Sequence, residues 1–292
     1  MPSSRLLILG SNGGLGRTLT RQLSQTHQVT AWTRAELDLE RPEAVAAALS
    51  RCDFDVLLNP VALTSPDVCE AQPDKARLAN VEGPQALAEV CQARGARLIH
   101  FSTDYVFSGE PHDLWHEDDE TRPVNVYGRT KREGELAVLK ACPDALVARV
   151  SWLFGPDKPS HPDLMIERAL QSDDVCSVAD KVSVPTSTVD VCEWIAHLIG
   201  HPSSGVLHLC NSGIASWHLW AETTLDIASW LGLPLKTTSV RPIRLAELTQ
   251  MKAARPLHTV MSNEKLQTLL GREIRNWSTA LEDYLTARYQ KK

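Results

Sequence analysis

Short, mostly continuous apolar runs recur through the first 150 residues, at 5–10, 28–32, 54–59, 97–101 and 145–150. Runs of that length without strict alternation predict strands buried on both faces of a parallel sheet. Between them the apolar period lengthens. Leu15, Leu19 and Leu23 stand four apart, Pro42 opens an alanine-rich segment ending at Leu49, and Leu78, Val81, Leu87 and Val90 mark one face of a long segment from about Pro73 to Ala93. After residue 131 a pattern through Leu136, Ala137 and Leu139 continues in the same way. These segments predict helices. Strand–helix alternation of this kind predicts an α/β protein with a Rossmann-like, doubly wound parallel sheet. Beyond residue 150 the alternation weakens: helical patterns fall at 162–171, 188–199, 216–231 and 277–289, with one further strand at 206–209. The expected organisation is a main domain over 1–150 and a smaller C-terminal part over 151–292, some of whose segments return to the main domain.

Composition narrows the function classes. The 292 residues are 43% hydrophobic and 23% charged, as expected of a globular chain long enough to bury a large core. Net charge is −6 with no basic stripe, which argues against nucleic acid as a partner. Every apolar run falls far short of the roughly 20 residues of a membrane-spanning helix. Met1–Ser4 leads directly into the first apolar run, which is shorter than the core of a signal peptide. The seven cysteines are dispersed and never in Cys-x-x-Cys spacing, so thiols in a cytoplasmic setting are expected and zinc is not. The acidic run Glu117–Glu120 reads as a solvated loop, and His197 and His201 as part of an ordinary amphipathic helix, so no metal is expected.

Two stretches carry chemistry. Gly10-Ser-Asn12-Gly13-Gly-Leu15-Gly16 joins the first strand to the first helix, and glycines at that spacing let the backbone approach a pyrophosphate at the helix amino end. The second strand ends in Thr33-Arg34 where a ribose-binding carboxylate is common, and a guanidinium there suits a 2′-phosphate. NADPH is therefore the expected cofactor; Glu36 keeps NADH possible, and Asp38-Leu39 would lie against the adenine. The other stretch runs from Ser102-Thr103-Asp104, after the fourth apolar run, to Tyr127 and Lys131, which are four apart and share one helix face. An ammonium about 4 Å from a phenol supplies roughly 4 kcal/mol, enough to bring its pKa of about 10 toward neutrality. Tyr127 is thus a candidate acid/base group, with Thr103 placed to hold a carbonyl oxygen.

Together, Gly10–Gly16, Ala35-Glu-Leu-Asp38-Leu39, His100-Phe-Ser-Thr-Asp-Tyr-Val-Phe107, Asn125-Val-Tyr-Gly-Arg-Thr-Lys131, Arg149-Val-Ser-Trp-Leu-Phe-Gly155, Val184-Pro-Thr186, Ser216-Trp217 and Arg255-Pro256 resemble the extended short-chain dehydrogenase/reductase family, over nearly the whole chain. The resemblance implies a dinucleotide-binding first domain and a second part that closes on a nucleotide sugar. It implies reduction of the C4 ketone of a dTDP-4-keto-6-deoxyhexose. Thr103, Asp104, Tyr127 and Lys131 would be catalytic. Gly10, Asn12, Gly13, Leu15, Gly16, Arg34, Asp38, Leu39, Ala62, Tyr127 and Lys131 would hold the cofactor. Thr64, Trp152, Lys181, Pro185 and Arg255 would meet the substrate, and a homodimer is admitted. Two alternatives stay open: a reductase or epimerase of another nucleotide sugar, and a non-catalytic regulatory subunit like the β subunit of methionine adenosyltransferase, which resembles the same family. The substrate wall departs from the family pattern. Asn59-Pro-Val-Ala-Leu-Thr64 replaces Asn-Ala-Ala-Ala-x-Thr, Lys181-Val-Ser-Val-Pro-Thr186 replaces Gln-x-Gly-Ser-Pro-Thr, and Ala254 stands where an arginine is usual. A cation at 181 is expected to face water, a carboxylate or the ligand's pyrophosphate, because an unpaired buried ammonium is costly.

Overall fold

The computed structural model describes residues 4–111 and 113–290; Met1–Ser3, at the start of the chain, lie outside the described residues. Five of the apolar runs are strands: β1 (Arg5–Ile8), β2 (Gln28–Ala31), β3 (Val56–Asn59), β4 (Arg97–Thr103) and β5 (Leu146–Val150). With Gly205–His208 they form a six-stranded sheet in the order Gly205–His208, β5, β4, β3, β1, β2. Every pairing in it is parallel. One apolar layer on the sheet gathers Leu15, Leu19, Val191 and Ile195, and the other gathers Leu49, Leu87, Leu98 and Val138. Strand order reverses beside β1, where β3 lies on one side and β2 on the other. That is the switch point at which open α/β sheets bind ligands.

The second half contributes to both parts of the molecule. Gly205–His208 pairs with β5, and the helix Thr188–Leu198 packs on helix α1 (Gly14–Leu23). Three further helices of this half, His161–Gln171, Trp217–Trp230 and Trp277–Tyr289, enclose a separate apolar cluster around Phe154, Trp220 and Leu281. Short strand pairs tie this part together: Leu153–Phe154 with Thr186–Ser187, and Val182–Ser183 with Ala215–Ser216. No helix among the described residues is long and apolar enough to cross a membrane.

Several elements differ from expectation, among them the helix Pro66–Ala71 and the strand pair Val175–Val178 with Val240–Ile243. The segment from Pro42 opens as a 3₁₀ turn (Pro42–Ala44) before the α-helix Val45–Leu49. A helix at Glu264–Leu270 was not legible from periodicity. The expected long helix from Pro73 is α-helical over Pro73–Arg77, widens to a π turn over Leu78–Glu82, and resumes over Gly83–Arg94. The widened turn surrounds Asn80, whose side chain accepts from Leu63 N at 2.8 Å and donates to Leu63 O at 3.2 Å. A side chain that bonds a neighbouring loop in this way explains the local unwinding, and such bulges favour functional sites.

The glycine turn is set by close approach. Gly10 has φ +61, and a Cβ there would meet Val61 Cγ2 at 2.8 Å. A Cβ on Gly16 would collide with the carbonyl of Gly10, whereas one on Gly14 would meet only the Lys158 side chain, at 3.4 Å. Gly16→Ala is therefore expected to destabilise the fold by about 1–3 kcal/mol, the usual cost of overpacking. Gly14→Ala should leave the urea midpoint close to wild type, and equal midpoints for the two variants would show that the turn repacks freely.

Candidate active site

A cleft of about 580 Å³ opens at the carboxyl ends of β1, β3, β4 and β5. Gly10, Asn12, Gly13, Leu15 and Gly16 line one side, Ala62 and Thr64 another, and Thr103, Asp104, Tyr127, Lys131 and Trp152 the rest. Residues from widely separated segments thus meet in one space, as expected.

Tyr127 reaches the cleft because its helix, Val126–Ala141, starts where it does. Asn125 caps it, accepting from Gly128 N at 2.7 Å, and also donates to Ala254 O at 2.7 Å. Gly128 lies so close to the carbonyl of Tyr105 that any Cβ would collide with it. The helix start is thereby pressed onto the end of β4. Tyr127 sits edge-on to Tyr105, ring centroids 5.6 Å apart, and its phenol lies beside the Thr103 hydroxyl. Thr103 donates to Asp104 Oδ1 at 3.1 Å. A hydroxyl has a single proton.

The expected influence of Lys131 on Tyr127 does not hold in this geometry. Burial pushes the phenol pKa up, with the Thr103 hydroxyl a smaller opposing effect. Lys131 Nζ instead donates to the carbonyl of Phe101 at 2.7 Å and lies 3.4 Å from His100 Nε2. Asn59 Oδ1 accepts from Val61 N at 3.2 Å, so its amide nitrogen must be the atom 3.0 Å from His100 Nδ1. On that network His100 Nδ1 accepts and Nε2 carries the proton, so His100 offers Lys131 no lone pair. Burial pulls the Lys131 ammonium down to about 8, with Glu135 opposing.

Several expected substrate residues lie behind the cleft wall. Lys181 is fully buried and faces neither water nor the cleft. It donates to the carbonyl of Pro256 and lies 4.8 Å from the Tyr105 ring centre. Arg255 pairs with Asp67, Nη2 to Oδ2 at 2.6 Å, and its side chain is buried by that contact. This guanidinium holds the Asp67 carboxyl far below the usual carboxylate range. Pro185 is buried and does not line the cleft. For Lys181 and Arg255, a partner distant in sequence turns the side chain away from the cavity.

A smaller cavity of about 240 Å³ continues past Gly10 and Asn12 to Arg34, Asp38, Leu39 and Ala62. Arg34 is 60% exposed there and bonds Asp38 at 3.0 Å and Glu40 at 2.8 Å, so its charge is already shared with two carboxylates. Glu36 is turned back onto Thr33, away from the role that would favour NADH. A dinucleotide fits the donor set along this path. The Cβ position of Gly13 meets only Gly10 O, at 3.3 Å, and otherwise faces open space, which is the cradle a pyrophosphate requires. Three residues not anticipated from the sequence complete the site. Asn80 holds Leu63 and Thr130, His100 backs Lys131, and Lys158 lies over the glycine turn. An inward polar residue among Leu78 and Val81 was the available signal for Asn80; for the other two there was none.

The parallel sheet, the glycine turn at its switch point and the Tyr127–Lys131 pair beside Thr103 define a nucleotide-binding α/β protein of the short-chain dehydrogenase/reductase class. Residues 4–290 match the family described as the RmlD substrate binding domain, and the chain belongs to that family. It is 37% identical to a probable dTDP-4,6-dihydroxy-2-methyloxan-3-one 4-ketoreductase of Streptomyces antibioticus, over 96% of this chain and 94% of the relative. It is 36% identical to a dTDP-4-dehydrorhamnose reductase of Mycolicibacterium smegmatis, over 98% of this chain and 86% of the relative. The crystal structure of dTDP-4-dehydrorhamnose reductase from Bacillus anthracis in complex with NADP superposes with a TM-score of 0.91 at 27% identity, covering 98% of this chain and 99% of the other.

The depressed Lys131 pKa has a stability consequence. Its folded value lies near 8 and its ordinary value is 10.5, so the buried charge destabilises the fold fully below pH 8 and not at all above about 10.5. Lys131→Met should raise the thermal midpoint at pH 7, by on the order of 1–3 kcal/mol at 1.36 kcal/mol per pKa unit. The gain should shrink as pH rises from 8 toward 10.5. A variant less stable than wild type at pH 7 would show that the Phe101 contact outweighs desolvation.

Proposed function

We propose that this protein reduces the C4 ketone of a dTDP-4-keto-6-deoxyhexose with NADPH, converting dTDP-4-dehydrorhamnose to dTDP-L-rhamnose. The observation that carries this is the line Asp104, Thr103, Tyr127 at the edge of a cleft whose far side is the glycine cradle. The relatives' printed names add support, since they describe reductions at C4 of dTDP sugars and one was solved with NADP.

When bound, NADPH supplies the hydride that adds to C4 of the sugar. The ketone oxygen then needs a proton, and Tyr127 gives it. A phenol held protonated by burial is suited to that direction of reaction, because it arrives with its proton in place. Thr103 and Asp104 fix where the hydroxyl points. Lys131, anchored on Phe101, lines the cleft and helps hold the cofactor. Gly10, Asn12, Gly13, Leu15, Gly16 and Ala62 hold the dinucleotide, and Arg34 serves its 2′-phosphate. Thr64 and Trp152 face the sugar nucleotide. The seven unpaired thiols suit a cytoplasmic enzyme.

Purified protein incubated with NADPH and a panel of dTDP-4-keto sugars tests the assignment, with the highest kcat/KM expected on dTDP-4-dehydrorhamnose. No oxidation of NADPH with any 4-keto sugar would overturn it. Tyr127→Phe keeps the ring and removes the acid, so kcat should fall by about 10²–10⁴-fold. NADPH affinity should change little in that variant, and retained turnover would remove Tyr127 from its role. Gly13→Val adds its side chain to the open cradle rather than to the packed turn. NADPH affinity by calorimetry should fall at least tenfold, about 1.4 kcal/mol, with the thermal midpoint nearly unchanged. Unaltered affinity would place the pyrophosphate elsewhere.

A further inference from the structure

We propose that Lys181, although it does not touch the cleft, is a positioning residue: it keeps Asp104 ionised, and through Asp104 it fixes the Thr103 hydroxyl beside Tyr127 as a donor to that carboxylate. Lys181 is fully buried and makes no ion-pair contact among the described residues. Its ammonium is enclosed by the rings of Tyr105, Trp152 and Trp217, at 4.8, 5.7 and 5.9 Å, and donates to the carbonyl of Pro256. The carboxylate whose field it shares is Asp104.

Asp104 is itself buried and receives hydroxyls from three directions. Thr103 reaches Oδ1 at 3.1 Å and Thr259 reaches Oδ2 at 2.6 Å, while Ser183 shares its single proton between Oδ2, at 3.1 Å, and the Thr259 carbonyl, at 3.0 Å. Two of those donors come from the segments that Lys181 joins. Ser183 lies two residues after Lys181, and Thr259 three after Pro256. The Lys181–Pro256 contact thus joins the two segments over Asp104, alongside the backbone bonds of Val182 N to Leu257 O at 2.7 Å and of Thr259 N to Val182 O at 3.0 Å. The titratable groups facing this carboxyl are Lys181, Tyr105, Tyr127 and Cys210, with Arg255 beyond Lys181. Of these, Lys181 is the cation that favours its charged form directly.

Charge state decides the direction of the hydrogen bonds. An ionised carboxyl only accepts, so Thr103 must donate to it and keeps only its lone pairs for the side of Tyr127. A protonated Asp104 would have a proton of its own to place, and Thr103 would be free to turn. Burial already favours the protonated form. Removing the Lys181 cation leaves that tendency without its main opposing charge.

The link to turnover rests on the reductase function proposed above; the charge state of Asp104 does not. The test uses full-length Lys181→Met and Lys181→Gln, with Asp104→Asn to assign the carboxyl band. Infrared difference spectra through a pH titration follow the protonated-carboxyl stretch, and kcat is measured over the same range with NADPH and dTDP-4-dehydrorhamnose. The Asp104 midpoint should rise by at least about one pH unit in both variants, the scale of losing one nearby charge. The acid limb of kcat should move up with it, while KM for NADPH stays within about twofold. Loss of mere packing would lower kcat at every pH and leave both midpoints in place. An unmoved Asp104 midpoint overturns the proposal, and a moved midpoint with an unmoved acid limb overturns the connection to Tyr127. If the wild-type enzyme oxidises no NADPH, the reductase function fails while the infrared titration still decides the role of Lys181. Should Lys181→Met not fold, Lys181→Gln retains a donor for the Pro256 carbonyl and carries the comparison.

Discussion

Among the described residues, two ammonium groups lie wholly inside this protein without a contacting carboxylate, and the site is arranged around how the fold accommodates them. Lys131 and Lys181 are each held by one backbone carbonyl, of Phe101 and Pro256, and burial draws both down to about 8. Arg149 shows the other solution. It is equally buried, but meets Glu135 through two bonds of 2.8 Å. A fully paired buried ion has little left to offer a ligand, whereas an ammonium on a carbonyl keeps most of its field for its surroundings. Both lysines flank the end of β4, and the fully paired arginine lies on β5.

That concentration of charge needs a rigid frame, and the polar residues at the carboxyl ends of β3 and β4 supply it. Asn59 at the end of β3 bonds His100 on β4, and His100 backs Lys131. Asn80 fixes the loop after β3 at Leu63 and also donates to Thr130, one residue before Lys131. Gly134 faces the carbonyl of Asn80 so closely that no Cβ fits, which sets the height of the Tyr127 helix against the π turn. Each of these contacts fixes a position rather than performing chemistry. Together they keep Tyr127 within reach of Thr103.

How much of this was legible from sequence depended on range. The glycine turn is local: Gly10, Gly13 and Gly16 fall within seven residues between an apolar run and a leucine repeat, and the backbone requirement is written in the absence of side chains. Tyr127 and Lys131 share a face because helical spacing alone dictates it. What each side chain touches was not legible, because the partners are remote. Lys131 meets Phe101 rather than Tyr127, Lys181 meets Pro256, and Arg255 meets Asp67 across 188 positions. The expectation for Lys181 omitted a buried carbonyl backed by aromatic faces, a fourth way to lodge a cation. The unbroken helix from Pro73 failed for a related reason, since periodicity records the apolar face and not a single Asn that bonds another loop.

The wall opposite the acid is built on a different principle. Trp152 has φ 40, a left-handed conformation that costs a bulky residue about 1–3 kcal/mol. It is held there from both sides. Ser151 donates to Val184 O at 2.6 Å, Thr186 N donates to the Trp152 carbonyl at 3.2 Å, and the indole stacks on Trp220 with 11° between planes. Its Nε1 has no acceptor among the described residues, although the ring lines the cleft. Strain and an unpaired donor gathered on one cleft residue are what a fold tolerates where a ligand is to be met. This wall belongs to the second half of the chain, and Tyr127 to the first. Lys181 touches both, through the Trp152 ring on one side and the field of Asp104 on the other. The same C4 chemistry can therefore be kept while the sugar-facing wall changes, which accords with relatives of this chain whose names share a C4 reduction but not a sugar.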